Sequence, residues 1–196
     1  NNINQYFQNA NTKSKAFSWA EWVFKIGDRI IFLDTRRSSL LYNNLNGTIY
    51  NIKKNESSII FTIDIKIHLT EEQCKYESFD YIDNISDGTR IRLEVIKWND
   101  DLSDEDKIKT VIPFQIAYAI SIHKAQGLEF KSVKVVIPSS NAEKITHSVF
   151  YTAITRAKEN LKIYWSAETM DAIVKSFTTQ KVERKTLQLI KQKLDI

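Results

Sequence analysis

The sequence contains few of the residues that cross-link, stiffen or loosen a chain. Its 196 residues include one cysteine, two prolines, four glycines and one methionine. The single cysteine, Cys74, excludes an internal disulfide and a CxxC metal site, so we predict no protein-held metal and a reducing, cytoplasmic location. No apolar run approaches the ~20 residues that span a bilayer, and no membrane contact is expected. With 42% apolar and 27% charged residues, the composition is that of an ordered globular protein.

Charge is unevenly distributed along the chain. From Asp64 to Asp106 there are 13 acidic and 5 basic side chains, a balance of −8. Residues 113–165 have 7 basic and 3 acidic side chains, a balance of +4, and residues 181–196 add +3. The split suggests one region that could face phosphates and one that could not, although charge alone fits solvated faces of both signs at least as well.

Residues 27–112 have the pattern of short strands. Runs of β-branched and aromatic residues alternate with turn-forming clusters of Asn, Gly, Ser and Asp. The runs are RIIFL, GTIYNIK, SIIFTIDI and IRLEVIKW, and Gly47 after Asn46 is the best hairpin signal among them. This spacing predicts a small antiparallel barrel or sandwich. The stretch NDDLSDEDK, which follows, predicts an acidic surface loop.

After Pro113 the pattern becomes that of an α/β domain. QIAYAISI and SVKVVIP are nearly continuous apolar runs, as expected for buried parallel strands. A helix is predicted from an N-cap at Thr146 to a stop near Asn160, followed by a strand LKIYW and the helices ETMDAIVKSF and VERKTLQLIKQKL. Residues 2–10 also predict a helix. The α/β part has few strands of its own, so we expect segments on its N-terminal side to complete the sheet.

The stretch AISIHKAQGLEF, residues 119–130, ends a predicted strand in a polar turn. Open α/β sheets bind ligands at the carboxyl ends of their strands. Gly127 allows a bound group to approach the backbone, and neighbouring amides could meet an anion. Considered alone, His123 is better explained as a surface histidine than as a functional one.

The stretch HSVFYTAITRAKENL, residues 147–161, predicts a helix whose apolar side includes two alanines and can pack closely on a sheet. Arg156 and Lys158 lie near its end. Arginine has a rigid, permanently charged fork that suits phosphate oxygens, and beside a nucleotide it would neutralise transition-state charge. Considered alone, either residue is better explained as a surface cation stabilised by the helix dipole.

Together the two motifs, SIHKAQGLEF and then YTAITRAK about 20 residues later, resemble motifs V and VI of superfamily 1 DNA helicases in the UvrD/RecD-type C-terminal domain. The resemblance is strongest over residues 113–166. FKIGDRIIFLDT and NLNGTIYNI are more weakly similar to the β-barrel insert of RecD-like members. The implied fold class is α/β: an incomplete RecA-like motor domain (2A), residues 1–26 plus 113–196, with an inserted small antiparallel SH3-like β-barrel (2B), residues 27–112.

The resemblance implies roles for individual residues. Arg156 corresponds to the catalytic arginine finger that reaches the γ-phosphate of ATP, and Glu129 to the carboxylate that accepts a hydrogen bond from the ribose. Gln126 and Gly127 correspond to the turn that lies against the phosphates. The implied contacts to the single-stranded nucleic-acid backbone are Ser121, His123 and Lys124. Many relatives have threonine where this chain has Ser121.

Part of an ATP site is absent from the sequence. It has no G-x-x-x-x-G-K-[ST] loop and no acidic pair after a buried strand that would hold Mg²⁺, and it does not begin with methionine. We therefore expect a C-terminal fragment that is inactive alone, with ATP and Mg²⁺ bound mainly by a missing N-terminal RecA-like domain of the same chain. The resemblance implies that the whole protein is an ATP-dependent DNA helicase, acting on single-stranded DNA or a duplex junction in a process such as DNA repair.

The strand-rich insert implies the RecD-like class, which moves 5′→3′. Its acidic stretch, residues 64–106, is not expected to lie along nucleic acid. Whether Lys53, Lys54, Arg36 or Arg37 contacts the strand is left open, and solvated loop cations are the simpler interpretation. The alternative function is a non-catalytic nucleic-acid-binding module with a helicase-like fold.

Overall fold

The computed structural model describes residues 2–33 and 36–177. The chain divides into two compact units, residues 1–120 and residues 121–196. The first unit contains, in chain order, α1 (Asn2–Ala10), β1 (Ala16–Trp19), β2 (Trp22–Lys25), β3 (Arg29–Phe32), β4 (Asn46–Lys54), β5 (Ser58–Ile65), α2 (Glu71–Cys74), β6 (Asp80–Ile85), β7 (Gly88–Ile96), α3 (Asp104–Lys109) and β8 (Phe114–Ile116). The second unit contains β9 (Phe130–Val136), a 3-10 helix (Ser139–Lys144), α4 (His147–Ile154), β10 (Ala157–Tyr164) and α5 (residues 167–177).

The first unit is built on a six-stranded antiparallel sheet with strand order β6-β7-β5-β4-β3-β8, and β1 and β2 form a separate hairpin. Strand β5 shows why this sequence forms a sheet, because side chains alternate between the two faces of a strand. Ile59, Phe61, Ile63 and Ile65 are fully buried, and the residues between them are partly exposed. The predicted antiparallel strands are therefore present, while closure of the sheet into an SH3-like barrel stays a prediction.

Aromatic rings fill the centre of the first unit. The Phe114 ring centroid lies 5.0 Å from that of Phe61, 5.7 Å from that of Phe32 and 5.8 Å from that of Phe24, each edge to face. Such pairs add about 0.5–1.5 kcal/mol each beyond the area they bury. Phe114 belongs to β8, so the segment after the predicted boundary at residue 112 is packed into this core.

The predicted strand QIAYAISI is wrong beyond its first residues. Only β8 is a strand, and it pairs antiparallel with β3 instead of joining a parallel sheet. The side-chain amide of Asn4 in α1 donates to the carbonyls of Ile116 and Ala119, both at 3.1 Å, and its oxygen accepts from the Ala119 N–H at 2.7 Å. Because these backbone groups are satisfied by a helix side chain, the strand ladder ends there.

A buried carboxylate holds α1 in the first unit. Asp28 is fully buried and accepts hydrogen bonds from Gln8 Nε2 (2.6 Å), the Lys25 N–H (2.8 Å) and the Tyr118 hydroxyl (3.0 Å). Burial, together with the negative charge of Asp28, raises the pKa of Tyr118 to about 12. The compact units thus differ from the predicted boundaries, and the assignment of residues 1–26 to the motor domain stays a proposal.

Two residues of the first unit differ from expectation. Gly47 lies inside β4, opposite Ile30, and not in a turn. A Cβ on it would lie 3.0 Å from Ile63 Cγ2, so close packing between strands explains the glycine. Arg37 is buried, not solvated, and its guanidinium donates to the carbonyls of Glu94 (2.7 Å), Val111 (2.9 Å) and Lys109.

The second unit contains a parallel strand pair, β9 and β10, connected through α4. Thr146 is the N-cap of α4 as predicted, and its Oγ1 accepts the Val149 N–H at 3.3 Å. The helix ends at Ile154 and not near Asn160, because residues 157–164 pair with β9 as a strand. The prediction of a helix over ETMDAIVKSF is confirmed by α5, and VERKTLQLIKQKL lies outside the described residues.

Candidate nucleotide and nucleic-acid site

The polar residues of the first motif lie in a compact turn, residues 121–128, that leads into β9. Backbone hydrogen bonds form this turn: the Ala125 N–H donates to the Ser121 carbonyl at 3.0 Å, and the Leu128 N–H donates to the Ala125 carbonyl at 3.1 Å. Ala125 is buried and anchors the turn. The residues of the turn that face solvent are Ser121, His123, Gln126 and Gly127, and Lys124 is partly buried.

Gly127 is the one residue of this turn whose backbone requires glycine. Its φ is +81°, in the left-handed region that other residues adopt only with strain. A Cβ built on Gly127 would meet no heavy atom within 4 Å. Conformation therefore explains the glycine, and the space beside it is open to an approaching group.

The turn lies at the amino end of β9, and not at the carboxyl end of a strand as predicted. Residues 117–120, which precede it, are not a strand. The rule that open α/β sheets bind ligands at the carboxyl ends of their strands therefore does not apply to this turn. What brings the turn to the second motif is the parallel pairing of β9 with β10, whose amino ends meet where Ala157 is paired with Phe130.

Arg156 connects the C-terminal end of α4 to the 121–128 turn. Its Nη1 donates to the Leu128 carbonyl at 2.9 Å, its Nε to the Thr152 carbonyl at 3.0 Å and its Nη2 to Thr155 Oγ1 at 3.2 Å. The guanidinium is partly buried and takes part in no ion pair among the described residues. Since arginine has five N–H donors, one N–H on each terminal nitrogen remains for a further acceptor.

Glu129 forms an ion pair with Lys158, a contact that the two motifs do not predict. Its Oε2 lies 2.9 Å from Lys158 Nζ, and both side chains are more than half exposed. The hydrogen bond from Lys158 and its charge, with a smaller effect of Arg156, lower the pKa of Glu129. The signal was present in the register of β9 and β10, which makes residues 129 and 158 near neighbours, but register cannot be read from one strand at a time.

The structure thus brings Arg156 to the turn at Leu128 and places Glu129 between the turn and β9. The positions predicted to contact nucleic acid lie at the beginning of the same turn. The open cavity of about 830 Å³ beside α2 contains none of the predicted site residues. Within residues 2–33 and 36–177 no group of three or more His, Cys, Asp or Glu side chains could hold a metal ion, and no helix there is long and apolar enough to cross a membrane.

One segment of the chain is similar to a known helicase domain. Residues 116–164, from the end of β8 to the end of β10, match the UvrD-like helicase C-terminal domain. The predicted resemblance to superfamily 1 helicases of the UvrD/RecD type is therefore confirmed for this segment, which is a quarter of the chain.

Several of the relatives that match parts of the chain are RecD subunits of the RecBCD enzyme. The RecD of Buchnera aphidicola subsp. Schizaphis graminum is 28% identical over 87 residues, which are 44% of this chain and 14% of that protein. The RecD of Mycolicibacterium smegmatis is 41% identical over 46 residues, 24% of this chain and 8% of that protein. The chain therefore spans a seventh or less of the length of these relatives.

Solved structures of Pif1 helicases match this chain with TM-scores below 0.5. Bacteroides Pif1 bound to ssDNA gives a TM-score of 0.44 at 14% identity, over 92% of this chain and 45% of that one. A structure of two coordinating Pif1 helicases at forked dsDNA gives a TM-score of 0.45 at 16% identity, over 86% and 39% of the two chains.

Proposed function

We propose that this chain is the C-terminal part of an ATP-dependent DNA helicase of the RecD-like, 5′→3′ class. The observation that carries the proposal is the hydrogen bond from Arg156 to the Leu128 carbonyl. It joins the two helicase motifs at one point, so that a group bound against the 121–128 turn would lie within reach of the remaining guanidinium N–H groups. The match to a UvrD-like C-terminal domain and to RecD subunits supports the same class.

The residues present fit an anionic nucleotide. Open space beside Gly127 permits close approach of a phosphate to the backbone, and Arg156 supplies a permanent positive charge at the same place. ATP, when bound, supplies the phosphoryl group whose transfer to water releases free energy for movement. Arg156 would bind the γ-phosphate as the catalytic arginine finger, and Gln126 and Gly127 would lie against the phosphates. Glu129 would orient the ribose by accepting a hydrogen bond from its hydroxyl group.

Movement along DNA is proposed to use the beginning of the turn. Ser121, His123 and Lys124 would contact the backbone of single-stranded DNA or of a duplex junction. A change at Gln126 and Gly127 on nucleotide binding would reach these residues through the backbone hydrogen bonds that form the turn. ATP and Mg²⁺ would be held mainly by an N-terminal RecA-like domain of the same chain, and the chain alone would be inactive. With its single free cysteine, the protein is proposed to act in the cytoplasm.

The test is the full-length gene product, assayed for DNA-stimulated ATP hydrolysis. Arg156→Ala should lower turnover by about 10³-fold or more with nucleotide affinity little changed, because the finger acts on charge in the transition state. Arg92→Ala is the matched control: this arginine is half exposed on β7, 3.9 Å from Asp80, and its loss should leave turnover unchanged. Unaltered turnover in the Arg156→Ala protein would contradict the finger role.

A second candidate function follows from the other bonds of Arg156. Its three hydrogen bonds within the second unit would also suit an arginine that only ties α4 to the turn, as in a non-catalytic nucleic-acid-binding module. Full-length protein that binds single-stranded DNA but shows no DNA-stimulated ATPase would favour this function.

A further inference from the structure

We propose that the first unit carries a binding surface for single-stranded nucleic acid, formed by Trp19, Trp22, Lys54 and Lys97. This group is called the Trp19 patch. It shares no residue with the 121–128 turn or with Arg156. The proposal therefore does not rest on the helicase function, since the patch would bind a strand whether or not the protein hydrolyses ATP.

Two lysines converge on one indole ring in the patch. Lys54 Nζ lies 5.9 Å and Lys97 Nζ 6.0 Å from the ring centroid of Trp19. The backbone fixes both positions, because the Lys97 N–H donates to the Ser57 carbonyl at 2.8 Å and Lys54 Nζ donates to the Ser18 carbonyl at 2.6 Å. A ring attracts cations, so both ammonium groups are held near the same indole.

These two charges are not neutralised by carboxylates. Among the residues that the structure describes, neither Lys54 nor Lys97 forms an ion pair. The acidic helix α3, which follows Lys97 in the chain, contains its own partners: Asp104 pairs with Lys107 at 2.7 Å, and Asp106 with Lys109 at 2.8 Å. A phosphate that approaches either ammonium group would form a charge-assisted contact with it.

An exposed indole lies opposite Trp19 in the hairpin. Trp22 is the cross-strand partner of Trp19 in the β1–β2 hairpin, and directly opposite side chains lie on the same face of a strand pair, about 5 Å apart at Cβ. Trp19 is 7% exposed beneath the lysines, whereas Trp22 is 50% exposed. Trp19 is packed into the core, whereas half of the Trp22 surface is open to a ligand.

This combination selects the class of ligand. Proteins that bind single strands without sequence preference combine cations for the phosphates with aromatic rings on which bases stack. A duplex hides the faces of its bases, and an acidic protein would use the lysines but not the exposed ring. Single-stranded nucleic acid uses both, and it is the partner that the patch fits.

The experiment measures binding of the 196-residue chain to a fluorescein-labelled oligothymidylate of about 12 nucleotides, by polarisation at several KCl concentrations. Lys54→Met and Lys97→Met remove the charges but keep apolar side chains over Trp19. Each should weaken binding and make the slope of log K against log salt shallower by about 0.7. Trp22→Ala should weaken binding about 5- to 150-fold through loss of one stacked base.

The chain offers a matched control on another surface. Lys75 Nζ lies 5.6 Å from the ring centroid of Tyr76, which is 90% exposed, so a lysine and an accessible ring are also adjacent there. Three glutamates, Glu71, Glu72 and Glu77, surround that pair in the sequence. Lys75→Met and Tyr76→Ala should therefore change neither the affinity nor the salt slope.

Two further sets of variants make every outcome decisive. Lys54→Arg and Lys97→Arg keep the charge and should retain binding, which separates loss of charge from loss of folding. The series is repeated with His123→Ala and Lys124→Ala, residues proposed to hold DNA in the second unit. Patch variants that weaken binding in both backgrounds support the patch, even if the turn variants have no effect and that part of the proposed function fails. Unchanged affinity and slope for every patch variant in both backgrounds would overturn the proposal.

Discussion

The two units bury very different numbers of apolar side chains. Of the 25 buried hydrophobic residues among those the structure describes, 20 lie in the first unit and 5 in the second. Both units leave large apolar side chains more than 40% exposed; in the second unit they include Tyr151, Val136, Val174, Leu161 and Tyr164. Among the residues that the structure describes up to residue 177, its parallel sheet has two strands.

The difference shows that one fold is specified locally and the other is not. An antiparallel sheet can bury one face with strands that follow each other in sequence, and the first unit does so. Parallel sheets normally have both faces covered by other elements. The described part of the second unit supplies a helical cover for one face, built around Val135, Ala153 and Ile173, and we expect its stability to be the lower of the two.

The largest expected effect comes from removing a ring at the centre of the first unit. Phe61→Ala should destabilise that unit by about 3–5 kcal/mol, because a fully buried phenyl group is lost and a cavity remains. Hydrogen exchange should show faster opening of β5 and β7, with β9 and β10 unaffected. Tyr76→Ala, at a 90% exposed position, should change stability little. Equal loss of protection in both units would show that they unfold together, and the comparison would fail.

A pair of arginines gives a second test of the comparison, with an expected effect of intermediate size. Arg37 and Arg156 both donate to backbone carbonyls, but Arg37 is 7% exposed and its removal would leave buried acceptors unsatisfied. Arg37→Met should cost about 3 kcal/mol in urea unfolding, and Arg156→Ala about 1 kcal/mol or less. ATP turnover should show the opposite order: Arg156→Ala should lower it strongly, and Arg37→Met should change it little. If Arg156→Ala proves as destabilising as Arg37→Met, its proposed catalytic role loses its separate basis.

The smallest expected effect concerns the pH dependence of the first unit. The pKa of Tyr118 is raised to about 12 in the folded state, above its ordinary value of about 10. The neutral hydroxyl is favoured by folding, so its contribution is fully present below pH 10 and is lost as the pH rises to about 12. Tyr118→Phe should cost about 1 kcal/mol at pH 7 and flatten the loss of stability between pH 10 and 12. Urea titrations across this range, with Tyr50→Phe as a control, would reveal an unchanged slope if the assignment is wrong.

Much of the first unit could be predicted from the sequence, because its signals are local. The alternation in SIIFTIDI is enough to define β5 and its buried face. Gly47 could not be placed, since its close neighbour Ile63 lies on another strand and only the register brings them together. Arg37 was expected in solvent for the same reason: its three acceptors lie far along the chain.

The motifs identify the residues of the candidate site, but the secondary structure predicted around them is partly wrong. QIAYAISI has the composition of a buried strand, but Asn4 satisfies the backbone at Ala119 from more than a hundred residues away, and no local pattern reports such a bond. The sequence from Ala157 to Asn160 predicts the end of a helix, but pairing with β9 makes it a strand. Residue types could be read from the sequence, but their partners could not.

The bonds between Asn4 and Ala119 have a practical consequence for handling the protein. Residues 2–10 look like a dispensable leader, and trimming them would be a natural choice when shortening the chain for expression. Removing them would expose the Ala119 backbone and remove the hydrogen bond that Gln8 donates to the Asp28 carboxylate. A trimmed chain should therefore be more susceptible to proteases at residues 116–120, the approach to the first helicase motif.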